Sequence, residues 1–268
     1  MRYVIDNDMH IHTSLSRCSN DPTQNAQTIL EHAKKHGLKT IVLTDHFWDN
    51  LVKGWPTSWY QGQDFENISK AKPLPQADGI RFLFGCETEM SGNLVIGLDK
   101  SHFDEFDFIV IPTTHLHMGG NVLPLAQGQA LTHEHLAKTW IEKLSALFSC
   151  DLPFHKVGIA HLTSSLIYKS TTNEYQKVLD LIPTEKLKEL FTKASSLGVG
   201  IEINSSDFAN PDRRTESVLR IYRIAKECGC KFYLASDAHH PQDLENSIDN
   251  FNYAIDALGL TEEDKFHL

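Results

Sequence analysis

The sequence predicts an α/β barrel of seven strands, and three observations predict it. Apolar runs of strand length recur at 3–9, 39–44, 80–86, 106–111, 157–160, 199–203 and 231–235. Helical patterns separate several of them, which calls for parallel strands joined by crossovers. Side chains of metal-ligating type follow or end these runs one after another. A barrel gathers its active site at the C-terminal ends of its strands, whereas an open doubly wound sheet keeps it in one crevice. Ligand-type residues after nearly every strand therefore favour closure.

The first run leads into Asp8-Met9-His10-Ile11-His12. Asp21-Pro22 then reads as the cap and first turn of a helix that Gly37 closes, with Ile29, Leu30 and Ala33 as its apolar stripe. KTIVLT at 39–44 is almost continuously apolar, as a strand covered on both faces requires, and it runs out at Thr44-Asp45-His46. The longest irregular stretch, 47–79, holds Trp48, Trp55, Trp59, Tyr60 and Phe65 with Pro56, Pro73 and Pro75. Such a segment is either a lid or binding loop, or an aromatic belt packed on the barrel rim. Gly85-Cys86-Glu87 ends the third run, and His115 and His161 follow the fourth and fifth. Ser236-Asp237-Ala238-His239 follows the last. Helices are expected at 132–148, 184–197, 214–228 and 242–258. No repeat or linker divides the chain, so one domain over 1–268 is expected.

Composition narrows the function. With 41% hydrophobic residues, the 268-residue chain has ample material for a core. Its formal charge of −10, without a Lys/Arg-dense run, argues weakly against a nucleic-acid partner. The opening MRYVIDNDMHIH lacks the apolar stretch of a signal peptide, and no apolar run approaches the roughly 20 residues that span a bilayer. The five cysteines are odd in number and irregularly spaced, which favours reduced thiols and a cytoplasmic location. Cys228-Gly-Cys230, at a helix end before a strand, reads as small apolar filler.

The chemistry lies in the ligand-type clusters. Neutral imidazole and carboxylate together suit zinc, manganese or iron, and a carboxylate can bridge two ions. On an extended segment His-x-His turns both rings to one face, so His10 and His12 can share an ion, with Asp8 placed to orient one ring. Any single member reads equally well as a hydrogen-bonded histidine. All of them at successive strand ends read as one multinuclear metal site.

These residues resemble the PHP (polymerase and histidinol phosphatase) family of metal-dependent phosphoesterases. The matching motifs are Asp8-x-His10-x-His12-Thr13, Thr44-Asp45-His46, Gly85-x-Glu87, Thr114-His115, Ala160-His161 and Ser236-Asp237-x-His239, spread over nearly the whole chain. The resemblance implies a distorted (β/α)7 TIM-like barrel with two or three divalent ions. It implies that His10, His12, Glu87 and Asp237 hold one ion, that Glu87 bridges to a second completed by His115 and His161, and that His46 and His239 hold a third. The family usually adds a His or Asp to that third site shortly after His-x-His. Here Cys18 stands at that position, with Asp21 as competitor.

By the same resemblance, the expected reaction is hydrolysis of a small-molecule phosphate monoester, histidinol-phosphate-like, by metal-activated water without a covalent intermediate. Glu87, Asp237 and His239 are the expected catalytic residues. Asn204, in the segment Glu202-Ile203-Asn204-Ser205-Ser206, is expected to line the pocket. Arg213 and Arg214 would offer phosphate a guanidinium fork, or else form a solvated pair at a helix start. Glu89 and His117, two residues beyond ligand positions, would support ligands or line the pocket. The competing readings are a nuclease or nucleotide phosphodiesterase, which would want a basic channel; a non-catalytic metal-binding domain, which would have lost ligands; and an amidohydrolase, whose ligand arrangement differs.

Overall fold

The computed structural model describes residues 1–54, 57–119, 122–123, 130–168 and 173–268. Its centre is a parallel sheet ordered β1 (Asn7–Ile11), β2 (Thr40–Leu43), β4 (Arg81–Thr88), β5 (Phe108–Pro112), β6 (Val157–Ala160), β7 (Gly200–Asn204) and β8 (Lys231–Ala235). A two-residue strand, β3 (His46–Phe47), pairs with the end of β4. β8 returns to β1, giving the nearly closed seven-stranded barrel that the sequence predicts. That seam is only partly a backbone ladder. Asp237 N–H donates to His10 O (2.8 Å) and His12 N–H to Ala238 O (3.2 Å). Below them side chains replace the partner backbone: Leu234 N–H donates to Asn7 Oδ1 (3.1 Å) and Ser236 N–H to Asp8 Oδ1 (2.9 Å). This is where the barrel is distorted.

The strands fill the interior by alternation. Ile109, Ile111, Ile159, Ile201, Ile203 and Leu234 face the helices, while Val42, Phe108, Val110, Ala160, Tyr233 and Ala235 form an inner apolar cluster with Met9 and Phe266. Gly158 makes that inner packing possible. A Cβ there would lie 2.5 Å from Phe108 Cζ and 2.6 Å from the Tyr233 ring, well inside contact distance.

The outer helices include α1 (Ala26–His36), α3 (His133–Leu147), α5 (Thr184–Leu197), α6 (Glu216–Glu227) and α7 (Pro241–Leu258), with short α2 (Phe65–Ile68) and α4 (Tyr175–Asp180). Helix α5 shows the logic: Leu187, Leu190, Phe191 and Ala194 make one buried stripe, and Gly198 ends it as a left-handed cap (φ 72°). In α7 Pro241 opens the first turn and His240 with Asp243 closes a capping box.

Three expectations about elements are corrected. The first strand is Asn7–Ile11, not 3–9, because Tyr3 belongs to the barrel floor, its hydroxyl donating to Phe232 O (2.9 Å). Helix α1 starts at Ala26 with Asn25 as its cap; Asp21 is turned into a local turn with Thr23 (2.8 Å to its N–H). β4 runs to Thr88, so Glu87 sits within a strand and not after it. Among the described residues no helix is long and apolar enough to cross a membrane. The cysteines are free thiols.

Candidate metal centre

The upper interior of the barrel is polar, and its geometry starts with an irregularity in β1. Asp8 pairs with Ile41 but Ile11 with Leu43, so β1 carries one extra residue between them. Met9 can therefore join the apolar inner cluster while His10 and His12 both reach the ligand cluster above it. The two Nε2 atoms lie 3.1 Å apart.

Glu87 is the hub. Its Oε2 is 2.8 Å from His46 Nδ1, 3.3 Å from His12 Nε2 and 3.6 Å from His10 Nε2, and its Oε1 is 3.2 Å from His161 Nε2. Asp237 Oδ1 lies 3.2 Å from His12 Nε2 and 3.5 Å from His10 Nε2. Three triads each bring ligand atoms within 4.8 Å of one another: His12, His46 and His239; His10, His12 and Asp237; His10, Glu87 and His161.

The far side of four of the rings is held by protein oxygen. His10 Nδ1 meets Glu202 Oε1 (2.6 Å), His12 Nδ1 meets Ser16 Oγ (2.9 Å), His115 Nδ1 meets Glu89 Oε2 (2.7 Å) and His239 Nδ1 donates to Asp237 O (2.8 Å). This pattern fixes the rings and leaves the other nitrogen aimed inward, as metal-binding imidazoles require. Asp45 supports it from behind, accepting from Ser16 Oγ (2.7 Å), Thr13 Oγ1 (2.8 Å) and Thr13 N–H (2.7 Å). Two ligand-type residues adopt left-handed backbone angles uncommon outside glycine: His161 (φ 61°) and Asp237 (φ 51°). Their N–H groups are pinned, His161 to Glu202 Oε2 (2.7 Å) and Asp237 to His10 O (2.8 Å).

The electrostatics show how strongly this cluster attracts positive charge. Burial opposes charge on Glu87 and Asp237, yet the surrounding imidazoles hold both carboxyls well below the usual carboxylate range. Conversely, burial opposes charge on His161, but Glu202, Asp237 and Glu87 lift it to about 10. His239 goes the other way: burial and the neighbouring His12 push it down to about 3, so its ring is neutral. Glu87 Oε2 and His46 Nδ1 are both buried and neither forms a hydrogen bond with a described residue, although only 2.8 Å separates them. Buried donor atoms crowded together without hydrogen-bonding geometry fit a shared cation, and the imidazole–carboxylate set fits zinc, manganese or iron.

A cavity of about 550 Å³ opens above this cluster. His46, Glu87, His115, His161, Asp237 and His239 form its floor, with Trp59, Tyr60, His117, Met118 and Leu166 among its walls. Trp59 sets its edge against His46, centroids 4.7 Å apart, and Arg17 holds that rim by donating to Trp59 O (2.9 Å). The 47–79 stretch thus does two things: Trp48 and Phe65 pack inward, while Trp59 and Tyr60 face the cavity. Trp55 and Pro56 lie outside the described residues.

Several expected site residues are placed differently. Cys18 lines the cavity but belongs to none of the three triads, and desolvation, with the Glu87 and Asp237 carboxylates, pushes its thiol up, away from the thiolate form. Asp21 is occupied by its turn and lies 3.9 Å from His240 Nδ1. His115 lines the cavity without joining a triad. Arg213 donates to Ser206 O (2.7 Å); Arg214 donates to Phe208 O (2.9 Å) and lies 4.1 Å over the Tyr253 ring, and neither lines the cavity. The guanidinium fork is a loop staple. Asn204 is fully buried, its amide within 3.2 Å of Glu202 Oε2 and 3.3 Å of His161 Nδ1, so it braces the cluster and does not line the cavity. Asp8 straps the seam and orients no ring; Glu202 orients His10 instead.

Residues the sequence reading missed are Ser16 and Lys143. Ser16 Oγ links Asp45, His12 Nδ1 and the His46 N–H (3.0 Å). Lys143, buried in α3, lies 3.7 Å from Glu89 Oε1. A serine in a turn and a lysine in an amphipathic helix carry no local signal of such roles.

Comparison with known proteins agrees with this geometry. The chain matches the PHP domain over residues 8–206 and belongs to that family. Among solved structures it is similar to the histidinol phosphate phosphatase of Lactococcus lactis, determined with zinc, L-histidinol and phosphate. The two share 18% identity at a TM-score of 0.64, over 99% of this chain and 100% of that one, which establishes the common fold. A dihydropteroate synthase of Coxiella burnetii aligns over 96% of this chain and 95% of that one at 13% identity and a TM-score of 0.45. No curated protein matches the chain.

Proposed function

We propose that the protein is a metal-dependent phosphatase that hydrolyses a small phosphate monoester of the histidinol-phosphate kind, using two or three divalent ions. The observation that carries this reading is the convergence of His10, His12, His46, His161 and Asp237 on Glu87 at the floor of the cavity. His10, His12, Glu87 and Asp237 would hold one ion, Glu87 with His161 and His115 a second, and His46 with His239 a third. Bound there, the ions would supply water acidified to hydroxide near neutral pH and a clamp on phosphate oxygens.

The chain's own groups do the rest. Glu202, Ser16, Glu89 and the Asp237 carbonyl keep the rings aimed, so little reorganisation is needed on substrate binding. His239, neutral and donating through Nδ1, serves as a ligand and does not act as the acid for the leaving alkoxide. Trp59, Tyr60, Met118 and Leu166 give the cavity an apolar wall that orients the organic part of the ester and keeps bulk water off the phosphate end. The family resemblance and the zinc- and phosphate-containing neighbour support the same reading.

The test is phosphate release from a panel of phosphomonoesters, histidinol phosphate included, beside a diester, before and after chelation. Chelator-sensitive monoester hydrolysis restored by zinc or manganese is the expected result. Hydrolysis of the diester alone would replace this reading with the phosphodiesterase one.

A further inference from the structure

We propose that His32, His36 and Glu245 form a second, outlying site for a divalent transition cation of the zinc type, one that clips α1 to α7 across the barrel seam. This site is separate from the barrel interior and does not depend on the phosphatase reading.

His32 and His36 are four residues apart on α1, so their rings lie on one helix face, with centroids 4.5 Å apart. A helical i, i+4 histidine pair is a natural bidentate grip for zinc, which an acidic residue from elsewhere can complete. Glu245, in α7, supplies the carboxylate. One ligand atom from each of the three residues lies within 4.8 Å of the others. His32 Nδ1 is 3.3 Å from Glu245 Oε1, and His36 Nε2 is 3.5 Å from Glu245 Oε2. Around a tetrahedral zinc with arms of about 2.0–2.1 Å, neighbouring ligand atoms sit about 3.3 Å apart, the spacing that His32 Nδ1 and Glu245 Oε1 already have.

A second observation points to a ligand. His36 Nε2, the ring atom 3.5 Å from Glu245 Oε2, is buried and has no hydrogen-bond partner among the described residues. A buried ring nitrogen left bare is costly, and a cation answers that cost for the nitrogen it meets. Lys35 grips Oε2 (2.5 Å), the oxygen 3.5 Å from His36 Nε2, while Oε1 lies 3.3 Å from His32 Nδ1. Open solvent beside the half-exposed Glu245 supplies a fourth ligand as water.

The location gives the clip a purpose. Helix α1 follows β1 and α7 follows β8, the two strands that meet at the seam where side chains replace part of the ladder. Those strands and the loops after them carry His10, His12, Asp237 and His239. A cation between the helices would hold the seam shut from outside.

The experiment is zinc stoichiometry, by mass spectrometry after equilibrium dialysis, for the full chain and for H36N and E245Q. Both substitutions lie outside the core, and circular dichroism checks that each variant is folded. Each variant is expected to bind one zinc fewer per chain than the unsubstituted protein, to keep its hydrolytic rate, and to lose part of the rise in melting temperature that zinc produces. Equal zinc counts in all three folded proteins would overturn the proposal. Because the count is a difference, it stands apart from however many ions the barrel interior holds.

Discussion

The lower and upper halves of the same barrel interior are built by opposite rules. Below, Met9, Phe108, Tyr233 and Phe266 interlock around a glycine at 158, an apolar packing that also buries the Tyr233 hydroxyl without a hydrogen-bond partner among the described residues. Above, Glu87 and Glu202 are buried and Asp237 is partly buried among imidazoles, in an arrangement that leaves ligand atoms crowded and some unbonded. An apolar plug stabilises a barrel by excluding water. A buried group of carboxylates costs stability unless cations balance it, and such a cost is tolerated where a site needs it. The lower half is thus about folding and the upper half about chemistry.

Substitutions should separate the halves, and the largest effect belongs to the hub. Glu87→Gln should lower phosphomonoester hydrolysis by roughly a hundredfold to a thousandfold and remove metal with it. Assay and metal analysis of one preparation check this, and full activity with full metal would sink the assignment. Glu202→Gln touches no cavity surface, yet it should weaken metal affinity by about 10–100-fold, because His10 loses the carboxylate that orients it. A competitive chelator titration measures that change.

Gly158→Ala should do the reverse. It should cost on the order of 1–3 kcal/mol in urea unfolding by forcing Phe108 and Tyr233 apart, while the folded fraction keeps its metal. Metal loss as large as that of Glu202→Gln would erase the distinction between the halves. Trp59→Ala should raise KM several-fold, on the scale of about 1 kcal/mol of lost apolar contact, with kcat little changed. The smallest effect is Arg213→Ala, expected to leave KM unchanged, since that guanidinium is spent on Ser206 O.

The two halves also differed in how far the sequence revealed them. Strand positions and ligand identities are local signals: an apolar run followed by His or Asp places both, and β6, β8 and α5 fall where the runs and caps put them. The bulge in β1 was not legible, because an extra residue is defined by the partner strand and not by the bulged one. Arg213 and Arg214 misled for a related reason. A pair of guanidiniums near a pocket segment looks like a phosphate fork until the loop folds back and its own carbonyls take the donors. Ser16, Glu202 and Lys143 act through contacts 29 to 192 residues distant in sequence, or through a buried partner on another element, and only the fold brings those together.

The most direct test of the central claim is anomalous diffraction at a metal edge from crystals of the zinc- or manganese-loaded protein. The account predicts at least two peaks in the upper barrel, each within ligand distance of Glu87 or of a histidine pair that includes His12, His46, His161 or His239. A well-ordered barrel from the same crystals with no peak within reach of Glu87 would contradict it.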